Sequence, residues 1–153
     1  MDLRLETFLP YRLNRAAAVS SKHFSRIYQA EFGLTVPEWR VLVTLGQLGT
    51  ASATEIGQHS AMHKTKVSRA VSALQQRRWV TRQTDDLDRR IEHLTLTAAG
   101  ESALRRLEPK MLAHEEALLD RLSARERAEL LRGLAVLEKA LGIPVTAMEE
   151  EAS

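Results

Sequence analysis

Six basic side chains lie together in a part of the chain that contains no carboxylate. No Asp or Glu occurs from residue 56 to residue 84, a segment that holds Lys64, Lys66, Arg69, Arg77, Arg78 and Arg82. A run of one charge in a chain whose net charge is only +2 is typical of a surface that binds a polyanion such as nucleic acid. A solvated helix face whose acidic partners lie on another segment would give the same pattern. The charge pattern leaves both interpretations open.

No other set of side chains in the sequence has the spacing of a reactive site. The chain contains no cysteine, which excludes disulfides, thiolate metal sites and cysteine nucleophiles. Its five histidines show no metal-ligand spacing, and neither a phosphate-binding loop nor a nucleophile elbow occurs. The acidic cluster of Asp85, Asp86 and Asp88 falls in a predicted turn. We therefore predict no enzyme, no cofactor and no metal site.

Length and composition indicate one domain. The 153 residues are 44% hydrophobic and 27% charged, which is ordinary for a globular chain of this size. No segment approaches the roughly 18 apolar residues of a membrane helix, and the N-terminus has no apolar signal-peptide core. We expect a cytoplasmic protein whose single domain spans residues 1–153 and ends in an acidic tail, 146–153.

A helix–turn–helix pattern positions the basic residues. Capping boxes of the form S/T-x-x-E at residues 35–38 and 52–55 predict the starts of two helices. After a break at residues 60–63, apolar residues recur at three- and four-residue spacing over 64–78: Val67, Ala70, Val71 and Leu74. The second helix of the motif is therefore the basic one.

Two β-prone stretches follow, residues 79–83 and 91–96, and they flank the polar loop 84–90. This arrangement predicts a β-hairpin directly after the helix–turn–helix. In such a pair the second helix can enter the major groove of DNA while the hairpin reaches the neighbouring minor groove.

Long amphipathic helices are predicted at both ends of the chain. One runs from Leu13 to Phe32 and ends at Gly33, and another begins at Thr97 with a kink expected at Pro109. A third capping box at residues 123–126 starts the last helix. Two long apolar stripes exceed what a small domain can bury by itself, so we predict oligomerisation through the chain ends.

The motifs occur in the order and spacing of a known family. They are Trp39-Arg-Val-Leu42, Thr54-Glu-Ile56, His63-Lys-Thr-Lys-Val-Ser-Arg69, Arg78-Trp-Val80, Asp88-Arg-Arg90 and Leu96-Thr-x-x-Gly100. Over about residues 10–140 the sequence closely resembles the MarR family of bacterial transcription regulators. Single pieces such as L-T-x-x-G are weak signals, but the D-R-R motif five residues before L-T-x-x-G makes the combination specific.

The resemblance implies a mostly α fold with a small β-hairpin wing. A winged helix-turn-helix lobe is expected at about 36–96, with dimerisation helices at about 7–33 and 97–142. The implied function is a homodimeric repressor of a palindromic operator, released by an aromatic acid, phenolic or acyl-CoA ligand, since the thiol-switch mechanism of the family needs a cysteine. A constitutive or architectural DNA-binding protein without an effector, and a metal-responsive regulator, remain alternatives.

The resemblance also implies roles for individual residues. The expected DNA contacts of the recognition helix are Lys64, Thr65, Lys66, Ser68, Arg69 and Ser72. Arg90 matches the minor-groove arginine of the wing, Arg89 is a candidate phosphate contact, and Asp88 is expected to hold an arginine and the loop in shape. The candidate effector contacts, chosen from their expected location and chemistry, are Arg15, His23, Arg40 and Met62.

Several of these residues have structural alternatives. Arg77 and Arg78 end the predicted basic helix and could instead complement its dipole. Arg82 could pair across the hairpin or contact a phosphate, and Arg40 could form a surface salt bridge. Trp39 and Trp79 are predicted to lie in the core.

Overall fold

The computed structural model describes residues 3–143, so the predicted acidic tail lies outside the described residues. Its helices are α1 (Leu9–Phe32), α2 (Val36–Leu48), α3 (Ala53–His59), α4 (Lys64–Gln76), α5 (Ala98–Leu119) and α6 (Ala124–Ala140). The strands are β1 (Thr50–Ala51), β2 (Val80–Thr84) and β3 (Glu92–Leu96), and a short 3-10 turn, Leu5–Thr7, precedes α1. The predicted fold class is confirmed, because helices dominate and the sheet is small.

Helix α1 begins four residues earlier than predicted. The expected start at Leu13 was wrong because Pro10 lies in the first turn, where a missing N–H removes no hydrogen bond. The predicted end is correct: Gly33 adopts the left-handed conformation, with φ 66°, and its N–H donates to the carbonyl of Gln29.

All three predicted capping boxes are confirmed, at the starts of α2, α3 and α6. In the box of α3, the N–H of Ser52 donates to Glu55 Oε2 at 2.7 Å and the N–H of Glu55 donates to Ser52 Oγ at 3.2 Å. Both hydrogen bonds hold the pKa of Glu55 below its usual value, and the bond from the backbone N–H of Ser52 has the larger effect. The cap spacing therefore located helix starts from the sequence alone.

The sheet contains one strand that the sequence did not predict. Its order is β1-β3-β2, all antiparallel, with Val80 opposite Leu96 and Thr84 opposite Glu92 in the hairpin. Both hairpin strands lie within one residue of their predicted starts. The two-residue β1 pairs Thr50 with Thr95. A two-residue strand has no readable periodicity, so only the fold could reveal it.

The core lies between α2, α3, α4 and the sheet. Helix α4 buries one face, formed by Val67, Ala70, Val71 and Leu74, against residues such as Leu42, Leu45, Ile56 and Leu94. The chain divides into two compact units between Leu112 and Ala113, which lie inside α5. Helix α5 contains Pro109 and continues past it as one helix. Among residues 3–143, no helix is both long and apolar enough to cross a membrane.

Candidate nucleic-acid interface

The exposed face of α4 carries the six residues that the sequence analysis assigned to the recognition helix. They are Lys64, Thr65, Lys66, Ser68, Arg69 and Ser72, and all six are exposed. None of these side chains makes a hydrogen bond or an ion pair within residues 3–143. Three cations and three hydroxyls are therefore free to contact phosphates and base edges. A helix diameter of about 10–12 Å also matches the major groove, which is about 12 Å wide.

The start of α4 differs from the starts of α2, α3 and α6. Its N-cap residue His63 makes no side-chain cap, and its first turn contains no acidic residue. No carboxylate of the first turn therefore faces the unpaired N–H groups and the positive end of the helix dipole. Lys64 and Lys66 add positive charge at the same end of α4. This end of α4 has the electrostatics of a phosphate site.

The wing loop is held in shape by Asp85 and Asp88. Asp85 Oδ1 accepts hydrogen bonds from the N–H groups of Leu87 and Asp88 at 2.8 and 2.9 Å, and its Oδ2 lies 2.9 Å from His93 Nε2. Asp88 Oδ1 accepts from the N–H and the Nε of Arg90, at 3.0 and 3.3 Å. The side chain of Arg90 nevertheless stays 92% exposed, and Arg89 is exposed as well. Both arginines can therefore reach a ligand outside the loop.

Asp85 is a wing residue whose role the sequence analysis missed. The hydrogen bond from His93, followed by those from the N–H groups of Asp88 and Leu87, lowers the pKa of Asp85 to about 2. Because this pKa is lowered on folding, its contribution to stability is complete above its usual value of about 3.8 and is lost as the pH falls toward 2. The carboxylate therefore stays ionised at neutral pH. Its spacing to His93 was visible in the sequence, but only the hairpin register brings the two together.

Two of the six basic residues in the carboxylate-free segment have partners elsewhere. Arg82 Nη1 lies 2.5 Å from Glu92 Oε2, so Arg82 forms an ion pair across the hairpin, which is one of its two predicted roles. Arg77 donates to the carbonyl of Phe32 at 2.7 Å, and its guanidinium lies 5.3 Å from the centre of the Trp79 ring. Arg77 thus binds the C-terminal end of α1 rather than complementing its own helix.

The remaining cations of the segment are Lys64, Lys66, Arg69 and Arg78. Arg78 adopts a left-handed backbone conformation with φ 59°, and its carbonyl accepts a hydrogen bond from Thr97 Oγ1 at 2.7 Å. Of the two interpretations of the charge pattern, acidic partners on another segment apply to Arg82, because the sheet brings Glu92 to it.

Both tryptophans pack against the core, as predicted. Trp39 stacks on Tyr28 with ring centres 5.2 Å apart, and Trp79 meets the ring of Phe32 edge-on at 5.1 Å.

A cavity of about 420 Å³ lies between α1, α2 and Met111 of α5, and we call it the Arg40 cavity. The stacked rings of Tyr28 and Trp39 form part of its wall, and Ser20, Ser21 and the guanidinium of Arg40 add polar groups. Burial raises the pKa of Tyr28, and the nearby charge of Arg40 partly opposes this shift. An apolar wall with one cation suits an aromatic anion.

Of the four candidate effector residues, Arg40 is the one that lines this cavity. Arg15 lies 5.9 Å from the ring centre of Tyr11, beside a different surface depression. His23 contacts the ring of Phe24, and Met62 packs against the core. Within residues 3–143, no group of three or more His, Asp or Glu side chains is arranged to hold a metal ion.

The winged lobe matches a known protein family in sequence. A sequence model described as the MarR family matches residues 32–91, which contain α2, the helix–turn–helix and β2 with the wing loop. The chain is similar to the MarR family over these residues. It is a DNA-binding transcriptional regulator.

The relatives of the chain are transcriptional regulators as well. The transcriptional repressor Rv2887 of Mycobacterium tuberculosis is 29% identical over 134 residues, 88% of this chain and 96% of the relative. The crystal structure of Sco3205, a MarR family regulator from Streptomyces coelicolor in complex with DNA, is 26% identical, with a TM-score of 0.77 and coverage of 92% and 91%. PcaV from the same organism, solved with its natural ligand, shares the fold, with 20% identity, a TM-score of 0.74 and coverage of 92% and 99%.

Proposed function

We propose that this regulator is a homodimeric repressor that binds a palindromic operator through α4 and the wing. The observation that carries the proposal is the exposed face of α4, where cations and hydroxyls have no partner within residues 3–143 and lie beside a helix start without a side-chain cap. Rv2887 is named as a repressor, and Sco3205 was solved with DNA. The proposed contacts are Lys64, Thr65, Lys66, Ser68, Arg69 and Ser72 of α4 and Arg89 and Arg90 of the wing, which Asp88 supports.

Large apolar side chains that stay exposed support the homodimer. On α6 and at its C-cap they are Leu130, Leu131, Leu134, Val136 and Leu141, and near the start of the chain they are Leu5, Leu9 and Val19. Monomeric proteins rarely leave so many large apolar groups in water, and a symmetric partner would cover them. We therefore propose that the dimerisation helices of the expected ranges 7–33 and 97–142 form the interface of a single-domain subunit.

DNA binding can be tested on duplexes that the wild-type protein selects from a random library. We expect a palindrome whose half-site centres lie about one helical turn, roughly 34–36 Å, apart. Replacing Arg90 with alanine should weaken binding on the order of tenfold, because the wing loses an exposed cation in both subunits. The measurement is fluorescence anisotropy of the selected duplex.

Arg105→Ala is the matched control, since this arginine lies on α5 and pairs with Glu101. The affinity of the Arg105→Ala protein for the selected duplex should match that of the wild type. An Arg90→Ala protein with unchanged affinity would show that the wing assignment is wrong, and a selected site without symmetry would contradict the homodimer.

We also propose that the Arg40 cavity binds the effector, an aromatic carboxylate, a phenolic or an acyl-CoA. Support comes from its aromatic wall, its single guanidinium and the Tyr28 hydroxyl, which has no hydrogen-bond partner within residues 3–143. A ligand that prefers a subunit spacing unsuited to the operator would weaken DNA binding by its differential affinity.

A thermal-shift series with benzoate, 4-hydroxybenzoate and acetyl-CoA tests this cavity. We expect at least one probe to raise the melting temperature of the wild type and of Arg15→Gln, and Arg40→Gln to lose the effect for carboxylates. Arg15 is the control because it is exposed on α1 outside the cavity. If none of the probes stabilises the protein, the constitutive alternative without an effector is favoured.

A further inference from the structure

A second cavity, of about 300 Å³, lies between α2 and α5, and we call it the α2–α5 cavity. Its apolar lining comes from Trp39, Val43, Leu104, Met111 and Leu112. Trp39 and Met111 also line the Arg40 cavity, so the two cavities share a wall. The charged group in the described lining of the α2–α5 cavity is a carboxylate, Glu108, whereas that of the other cavity is a guanidinium.

The neighbouring cations on α5 do not neutralise Glu108. Arg106 and Lys110 both bind the carboxylate of Glu31 on α1. Arg105 pairs with Glu101 at 3.5 Å. Within residues 3–143, Glu108 has no hydrogen bond or ion pair, so its charge is available to a ligand.

The shape of the cavity depends on the close approach of α2 and α5. A Cβ on Gly46 would lie 2.2 Å from Leu104 Cδ2, so the glycine lets that leucine pack against the backbone of α2. A smaller cavity, of about 250 Å³, is also lined by Leu104 and Glu108. The carboxylate of Glu108 therefore lines two cavities.

We propose that the α2–α5 cavity binds an organic cation with a small aromatic or alkyl body. The cationic group would pair with Glu108, and the body would pack on the Trp39 ring and the aliphatic lining. An aromatic ring and a carboxylate together favour a cation, because the ring face and the carboxylate both attract positive charge. An anion such as the ligand proposed for the Arg40 cavity would meet a like charge here. The volume is at the lower end of the range for ligand pockets, which limits the ligand to a small molecule.

The inference does not depend on the proposed effector of the Arg40 cavity and can be tested without DNA. The probe is benzyltrimethylammonium, with benzyl alcohol as a neutral compound of similar body and benzoate as the anion. Binding is followed by calorimetry on the full-length protein. A Trp79→Phe variant gives a second readout, because Trp39 is then the sole tryptophan and lies in the cavity wall.

We expect the cation to bind at least tenfold more tightly than benzyl alcohol and to change the Trp39 emission. Glu108→Gln should weaken cation binding about tenfold without affecting the neutral compound. Glu101→Gln is the matched control, since it removes a carboxylate that already has a partner, and it should leave the affinity within about twofold. Arg105→Gln should not weaken binding, because Arg105 pairs with Glu101 and not with Glu108.

Equal affinity of the wild type and Glu108→Gln for the cation would overturn the proposal. Absence of cation binding to the wild type would also overturn it, and would favour a side chain of a second copy as the occupant. The denaturant midpoint of Glu108→Gln checks folding, and we expect no change because the residue is exposed and unpaired. A midpoint shift would show a structural role for Glu108 and would count against the proposal.

Discussion

Replacing Gly100 with alanine should destabilise the protein by about 3 kcal/mol or more. Gly100 is buried near the start of α5, and a Cβ there would lie 2.2 Å from the backbone oxygen of Trp79 and 3.1 Å from its carbonyl carbon. That oxygen accepts the N–H of Thr97 at 2.9 Å, so it cannot move away without breaking a hydrogen bond. Alanine favours a helix over glycine by only about 1 kcal/mol, which does not offset a backbone clash.

The free energy of unfolding in urea measures this effect. Gly133→Ala is the matched control, because it makes the same change inside α6, where the added Cβ would meet no heavy atom of residues 3–143 within 4 Å beyond its chain neighbours and the backbone of its own helix. We expect that control to be stabilised by about 0.5–1 kcal/mol. A Gly100→Ala protein as stable as the wild type would mean that α5 does not approach the start of β2 as closely as described. The L-T-x-x-G motif thus has a steric explanation.

A Lys64→Gln/Lys66→Gln double variant should lose most of its affinity for DNA. Two phosphate contacts removed from each subunit of a homodimer make four, so the slope of log affinity against log salt should become shallower by about 3.6. At about 0.15 M salt this corresponds to a loss of roughly a thousandfold. The measurement is a salt series by anisotropy on the selected duplex.

The control for this variant is Arg82→Gln/Arg105→Gln, which removes the same charge from each subunit. Both arginines are ion-paired, with Glu92 and Glu101, so their loss should change the affinity by less than about threefold. If the two double variants weaken binding equally, net charge rather than the α4 surface governs binding. If Lys64→Gln/Lys66→Gln keeps the wild-type slope, α4 does not contact phosphates through these lysines.

The sequence predicted the elements that depend on local interactions. A capping box joins residues three apart, so the starts of α2, α3 and α6 could be read directly, and the period of the apolar residues identified the buried face of α4. The positions of α4 that fall outside this apolar period form its exposed face, which carries Lys64, Lys66 and Arg69. The order of motifs indicated the resemblance to the MarR family for the same reason, since each motif is a short local pattern.

Only the tertiary structure decided which of the basic residues are free. Arg77 and Phe32 are 45 residues apart in sequence, and Arg82 meets Glu92 only because the hairpin register places them on neighbouring strands. The role of Asp85, the strand β1 and the two cavities with opposite charges also come from long-range contacts. Such contacts depend on how helices and strands pack, which no local period or cap spacing encodes. The sequence therefore located the surface that we propose to bind DNA, whereas the packing determined which of its charges remain available and which cavities form.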